Sequence, residues 1–167
     1  KSLNIEKISA NITGSTELIE TKLGLFSEDA GQINLESVLR LQNENRTHSG
    51  QIGVSDLALT QFGPLTSHIQ RLEGIINADL AFSGALEKPS LNGELKIKDA
   101  AIGLSDYPIR LSEYNQHVIF SGFGAKYDGR FKLGEGNGRV EGQLDFANEL
   151  SASANISGDK LDVEYET

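Results

Sequence analysis

The chain has 167 residues, 38% of them hydrophobic, and a formal net charge of −9 at pH 7. The length fits one domain with a sizeable core, and the acidic balance argues against a nucleic-acid-binding surface, which needs clustered Lys and Arg. Because there is no cysteine, disulfide frameworks, thiol catalysis and thiolate metal sites are excluded too. No transmembrane run or signal peptide is present in the sequence, which begins at Lys1 in mid-pattern. We therefore expect it to be a piece of a longer protein.

Hydrophobic residues recur at every second position through most of the chain, a period typical of strands with one apolar and one polar face. The spacers between these stretches are short and rich in Gly, Asn, Asp and Ser, as in turns between consecutive antiparallel strands. The sequence therefore predicts a single all-β domain over residues 1–167. The alternating stretches are 32–42, 51–62, 76–84, 93–99, 117–122, 129–136, 139–148, 150–157 and 160–166.

Three stretches depart from simple alternation. The apolar parity switches around Ser55 and Asp56, which predicts a β-bulge. Residues 35–41 and 64–76 also place apolar side chains at helical spacing, the second with Pro64 near a possible start. We therefore expect at most one short helix in an otherwise β chain.

A hairpin pattern occurs twice. Residues 82–97 and 120–133 both read Phe-Ser-Gly, a turn, and then Gly-x-apolar-Lys-apolar. Imperfect repeats of this kind suggest an extended architecture in which each unit contacts only its neighbours.

No catalytic or metal-binding motif is apparent. His48, His68 and His117 are scattered, without the spacing of a metal site. The glycine-rich segments 122–129 and 134–139 complete no phosphate-binding motif, and they lie between strands rather than before a helix. We therefore expect neither an enzyme nor a bound metal or cofactor.

Two motifs carry a family resemblance. Gly-x-Leu, a short spacer, Pro-x-apolar-x-Gly and an alternating strand occur over residues 84–97, and Gly-x-Gly-x-apolar-x-Gly-x-Leu-Asp-aromatic occurs over residues 136–146. In this order they resemble the C-terminal part of the TamB family, inner-membrane-anchored subunits of the bacterial translocation and assembly module within the wider AsmA-like group. The resemblance covers about residues 70–146, while residues 1–50 show only generic alternation.

The resemblance implies an elongated, curled sheet that forms a U-shaped trough with an apolar interior. It implies a periplasmic location within an inner-membrane-anchored bridge to the outer membrane, and a role in autotransporter and outer-membrane protein assembly with the barrel subunit TamA. It also implies movement of phospholipid. The cargo would be phospholipid acyl chains or unfolded outer-membrane protein strands, and nucleic acid is not expected as a partner.

The residues themselves are compatible with two arrangements of the apolar stripes. They form either the lining of an open groove or the core of a closed β-sandwich, as in a binding or adhesion module of a secreted or cell-surface protein. The resemblance favours the groove. Its expected lining consists of Leu35, Leu39, Leu41, Ile76, Leu80, Phe82, Leu95, Ile97, Val118, Phe120, Phe131, Leu133, Val140, Leu144 and Phe146.

Overall fold

The computed structural model describes residues 5–41, 46–65, 69–104 and 110–161. They form one open antiparallel sheet of ten strands, in which each strand pairs with the strands before and after it in sequence. The predicted all-β, open antiparallel fold is confirmed. The strands are β1 (Lys7–Gly14), β2 (Leu18–Ser27), β3 (Gly31–Arg40), β4 (Thr47–Ala58), β5 (Ile69–Ala85), β6 (Lys88–Leu104), β7 (Arg110–Gly122), β8 (Gly124–Leu133), β9 (Gly136–Asp145) and β10 (Ser151–Asp159).

The two helical alternatives are wrong where the structure describes them. The helix among the described residues is a short 3₁₀ turn over Leu59–Leu65, while residues 35–40 belong to β3 and residues 69–76 belong to β5. The spacing misled because positions four apart share a face in a helix and in a strand alike. Leu72 and Ile76 fit both periods, and only their continuation into Ala78 and Leu80 identifies a strand.

Both predicted hairpins form. β5 and β6 are joined by the two residues Leu86 and Glu87, and β7 and β8 are joined by Phe123 alone. The second hairpin is two residues shorter between its matched Phe and Gly positions. Because side chains alternate with a period of two, this deletion leaves every matched residue on the same face of the sheet.

Four consecutive strands each have a positive φ at a break in the pairing register. The residues are Asp56 (51°), Gly74 (121°), Asp99 (48°) and Glu113 (49°), and the breaks lie at adjoining positions of β4 to β7. The bulge predicted at Ser55 and Asp56 is therefore confirmed, and Asp99 on β6 and Glu113 on β7 mark two more, with Gly74 opposite the bulge of β6. Each bulge adds local twist and bends its strand, so these four residues define a bulge line along which the sheet bends.

Asparagine side chains hold three of these bulges. Asn77 on β5 accepts a hydrogen bond from the Asp56 N–H at 3.0 Å. Asn115 on β7 accepts one from the Asp99 N–H at 3.2 Å and donates one to the Glu113 carbonyl at 3.0 Å. These side chains satisfy backbone groups that the interrupted ladder leaves free.

The described residues do not enclose a hydrophobic core. The buried apolar side chains are the alanines Ala30, Ala100, Ala101 and Ala125, and no large side chain is fully buried. The accessible surface is 11560 Å², whereas a compact globular protein of this mass exposes about 8,100 Å². The protein is therefore an extended single layer among the described residues and not the closed sandwich that was the alternative.

Candidate functional site

The site with functional potential is one whole face of the sheet. Residues directly opposite each other in an antiparallel pair point to the same face, so the pairing register traces each face from β1 to β10. One face collects nearly all the large aliphatic side chains of the strands, and we call it the apolar face. The opposite face, which carries the charged side chains, is called the polar face.

Two rows of the apolar face cross all ten strands without a break. They contain no Asp, Glu, Lys or Arg, and Tyr127 provides their one polar group. The first row runs Ala10, Leu23, Leu35, Ile52, Leu80, Gly93, Phe120, Ala125, Leu144, Ala152, and the second runs Ile8, Leu25, Ile33, Val54, Ala78, Leu95, Val118, Tyr127, Gly142, Ala154. At about 4.8 Å between neighbouring strands, each row is roughly 43 Å long.

The residues predicted to line a groove come together on this face. Leu35, Leu80, Phe120 and Leu144 lie in the first row, and Leu95 and Val118 lie in the second. Leu41 and Phe146 follow the ends of β3 and β9, where their N–H groups bond to the carbonyls of Glu17 and Phe123. The other predicted residues lie in neighbouring rows: Leu39, Ile76, Phe82, Ile97, Phe131, Leu133 and Val140.

Every one of these predicted side chains is half-buried. Their neighbours are side chains of the same sheet, because the main contacts between elements join sequential strands, or β5 and the 3₁₀ helix. Exposure rises at the two ends of the sheet, where Ile8, Ile12 and Ile156 are 65 to 67% exposed. These end strands have one neighbour instead of two, and no second layer of described residues covers the face.

Sequence reasoning missed part of this face. β1 and β2 contribute Ile8, Ile12, Leu23 and Leu25, and β5 and β6 extend further than predicted, to Leu72 and Ile102. The same period of two could have identified β1 and β2, because it is visible in residues 8–12 and 19–25.

Aromatic rings lie over glycines on the apolar face. Phe82 covers Gly50, Phe131 covers Gly138, and the Tyr127 ring covers Gly142, so that a Cβ at any of these glycines would meet the ring. In each pair the two residues lie opposite one another on adjacent strands. A ring across a strand glycine fills the space that the missing side chain leaves and keeps the apolar surface continuous.

The polar face holds the ion pairs of the described residues. Glu94 lies 2.5 Å from the Lys96 ammonium and 2.9 Å from the His117 ring. The hydrogen bond from Lys96, and then the one from His117, holds the pKa of Glu94 below its ordinary value. Arg139 contacts Asp128 and Glu141. These exposed pairs contribute little stability each, but they keep this face hydrated.

The polar face also has shallow, open depressions, but they contain no convergent catalytic group. One of about 700 Å³ lies over β2 to β5 beside Glu20, Lys22 and Glu36, and one of about 310 Å³ lies beside Lys96 and Arg130. No group of three or more His, Asp or Glu within the described ranges is placed to hold a metal ion.

The two histidines within the described ranges lie on opposite faces of the sheet. His48 lies on the apolar face against the Phe82 ring, whereas His117 lies on the polar face. His68 lies outside the described residues.

Comparison with known proteins places the chain in a family. A family model described as the N-terminal domain of TamB matches residues 1–97. The chain belongs to the TamB family. The matching domain is the N-terminal one, not the C-terminal part that the two motifs suggested, and the match includes the first motif but ends before the second.

A curated relative extends the similarity over most of this TamB-family chain. The translocation and assembly module subunit TamB of Haemophilus influenzae is 24% identical over 156 residues, which cover 89% of the chain and 12% of the relative. The chain thus spans about an eighth of that protein. No solved structure matches. Among the described residues, no helix is long and apolar enough to cross a membrane.

Proposed function

We propose that this TamB-family segment is part of a periplasmic bridge that shields apolar cargo on its way to the outer membrane. The observation that carries the proposal is the apolar face itself, which crosses ten strands without a charged side chain and has no covering layer among the described residues. Contiguous exposed apolar surfaces larger than a few hundred Å² are rare on monomeric soluble proteins and mark binding surfaces. The role is binding and shielding, without catalysis.

The cargo is proposed to be the acyl chains of phospholipid, with the sheet curled into a U-shaped trough around them. Burying about eight methylene groups is worth roughly 6 kcal/mol. That gain is comparable with the lower range of the free-energy cost of association, about 4 to 15 kcal/mol. Binding at any one place on the face is therefore weak and reversible, as movement along a conduit requires.

A second cargo is an unfolded outer-membrane protein strand. Among the described residues, β1 and β10 each pair on one side only, and an extended strand can add to such an edge wherever the full-length protein leaves one unpaired. Either cargo fits a bridge that is anchored in the inner membrane and meets the barrel subunit TamA through the full-length protein.

Site-specific crosslinking distinguishes these functions. A photo-crosslinking amino acid can be placed at position 80, in place of Leu80 on the apolar face, or at position 81, in place of Ala81 on the polar face. In cells that make the full-length protein, we expect phospholipid adducts at position 80 and none at position 81. Protein adducts at 80 would support the strand cargo instead, and equal labelling at both positions would contradict a cargo-binding face.

A further inference from the structure

A nearly buried amide side chain lies on the apolar face. Gln116 on β7 is 7% exposed, and it lies in a row between Ile97 and Gly129. Its amide rests over Gly129, where an added Cβ would meet the Gln116 side chain. The tyrosines Tyr114 and Tyr127 share this face beside it.

The hydrogen bonds of this cluster leave one donor of the Gln116 amide unused. The Tyr114 hydroxyl donates to Gln116 Oε1, and the Tyr127 hydroxyl donates to the Ser153 carbonyl at 2.8 Å. A glutamine amide has two N–H donors. Nε2 of Gln116 makes one long contact, 3.5 Å to the carbonyl of His117, so at least one donor has no partner among the described residues.

An underused donor in a nearly buried position is a costly arrangement. A buried polar group that lacks hydrogen bonds destabilises a protein, and most native buried groups are paired. Burial, followed by charge repulsion from Tyr127, raises the pKa of Tyr114. Its hydroxyl therefore stays neutral and can donate to Gln116 Oε1, which leaves an amide N–H of Gln116 available to a ligand.

The ligand that suits this cluster carries acceptors and no donors. A phosphate would bring a charge to a face without Lys or Arg, and an unpaired charge in an apolar site is strongly unfavourable. A peptide backbone would bring an N–H group with every carbonyl, and the rows of the apolar face offer few acceptors for them. A carboxylic ester joined to a hydrocarbon chain has neutral carbonyl acceptors only.

We propose that the Gln116 amide, positioned by Tyr114, hydrogen-bonds the ester carbonyl of a lipid whose acyl chain lies on the apolar face. The inference rests on the proposed function and adds a recognised chemical group to it. The site would distinguish ester-linked lipid from bare hydrocarbon, which an apolar surface alone does not.

A matched pair of lipids tests the proposal on the 167-residue chain. The probes are a water-soluble short-chain phosphatidylcholine with ester links and its ether-linked counterpart of the same chain length, which lacks the carbonyls. We expect the ester lipid to bind about three- to tenfold more tightly in calorimetric titration, the range of one neutral hydrogen bond. Gln116→Leu should abolish this ratio, because the ester lipid then binds no more tightly than its ether counterpart.

Gln143→Leu on β9 is the control, because it makes the same chemical change on the polar face, and it should preserve the ratio. Gln116→Met repeats the test if the Leu variant lacks the circular dichroism of a folded sheet.

Equal binding of both lipids to the wild-type chain would overturn the ester site while leaving the apolar face intact. Binding of neither lipid would overturn the proposed function and this inference together. Binding of an unfolded barrel-strand peptide that depends on Gln116, without an ester preference, would replace the lipid by a peptide carbonyl.

Discussion

The ring of Phe131 on β8 lies over Gly138, the residue directly opposite on β9. A Cβ at position 138 would come within 2.8 Å of the ring carbon Cε1 and closer still to Cζ and Cε2. The ring and the glycine therefore depend on each other. Gly138 leaves the space, and Phe131 fills it and covers the backbone.

We expect Gly138→Ala to destabilise the chain by about 1 to 3 kcal/mol, the usual effect of inserting a group into filled space. Phe131→Leu should recover part of the loss in the double variant, since the conflict is with the ring. Urea unfolding of the two single variants and the double variant measures the coupling. Gly53→Ala on β4 is the control, because an added Cβ there meets nothing within 4 Å. Strict additivity of the two changes would contradict the pairing.

The sequence was sufficient to predict the strands because alternation and short turns are local signals. It also predicted which side chains share a face, since the parity of Leu95, Val118 and Phe120 follows directly from the period of two. It could not show whether a second layer covers that face. Open and closed sheets use the same alternation, and the difference lies in contacts between residues far apart in the chain.

The sequence contains a signal for the whole bulge line, the switch of apolar parity, but the prediction used it only at Asp56. Apolar parity switches between Ile97 and Ile102, and again between Leu111 and Val118, as it does at Asp56. At each switch an acidic residue takes the left-handed conformation. That conformation is uncommon for residues other than Gly, Asn and Asp, so the slip in parity, more than residue type, marks these places.

The asparagine contacts at the bulge line lead to a second prediction. We expect Asn115→Ala to destabilise the chain by about 1 to 3 kcal/mol, because the Asp99 N–H and the Glu113 carbonyl both lose a partner. Asp99→Gly should be tolerated and Asp99→Val should not, since a β-branched residue is strained at a φ of 48°. Thermal melting ranks these variants. A stable Asp99→Val variant would show that the bulge is not kept in solution.

The pH dependence of stability follows from Glu94. Lys96 and then His117 hold the pKa of its carboxyl below the ordinary value of 4.5, so the folded chain binds this proton less readily than the unfolded chain. The stabilising contribution is therefore fully present above about pH 4.5 and is lost as the pH falls through the lower folded value.

We expect Glu94→Gln to flatten the fall in stability between neutral pH and pH 3, as measured by urea midpoints. The effect should be small and should shrink in high salt, because these side chains are well exposed and the pair is screened. An unchanged acid profile in low salt would show that the contacts of Glu94 do not persist in solution.

The final prediction compares two neighbouring residues on opposite faces. Phe120 lies in the first row of the apolar face, and Ile119 is a 52% exposed side chain on the polar face. In a closed core, an unpaired carboxylate at Phe120 would cost several kcal/mol, a large share of the roughly 5 to 15 kcal/mol that stabilises a domain. On an open face the carboxylate can reach water, so the fold should survive.

We therefore expect Phe120→Asp, and likewise Leu95→Asp in the second row, to melt as a folded sheet but to lose acyl-chain binding, because a charge breaks the apolar path. Ile119→Asp introduces the same charge one residue away and should keep both the fold and the binding. The measurements are thermal melting and titration with a fluorescent fatty-acyl probe, followed by outer-membrane integrity in cells that carry the full-length variants. Unfolding of both Phe120→Asp and Leu95→Asp would mean that the apolar face is covered in solution. Normal binding by both would mean that cargo does not follow these rows.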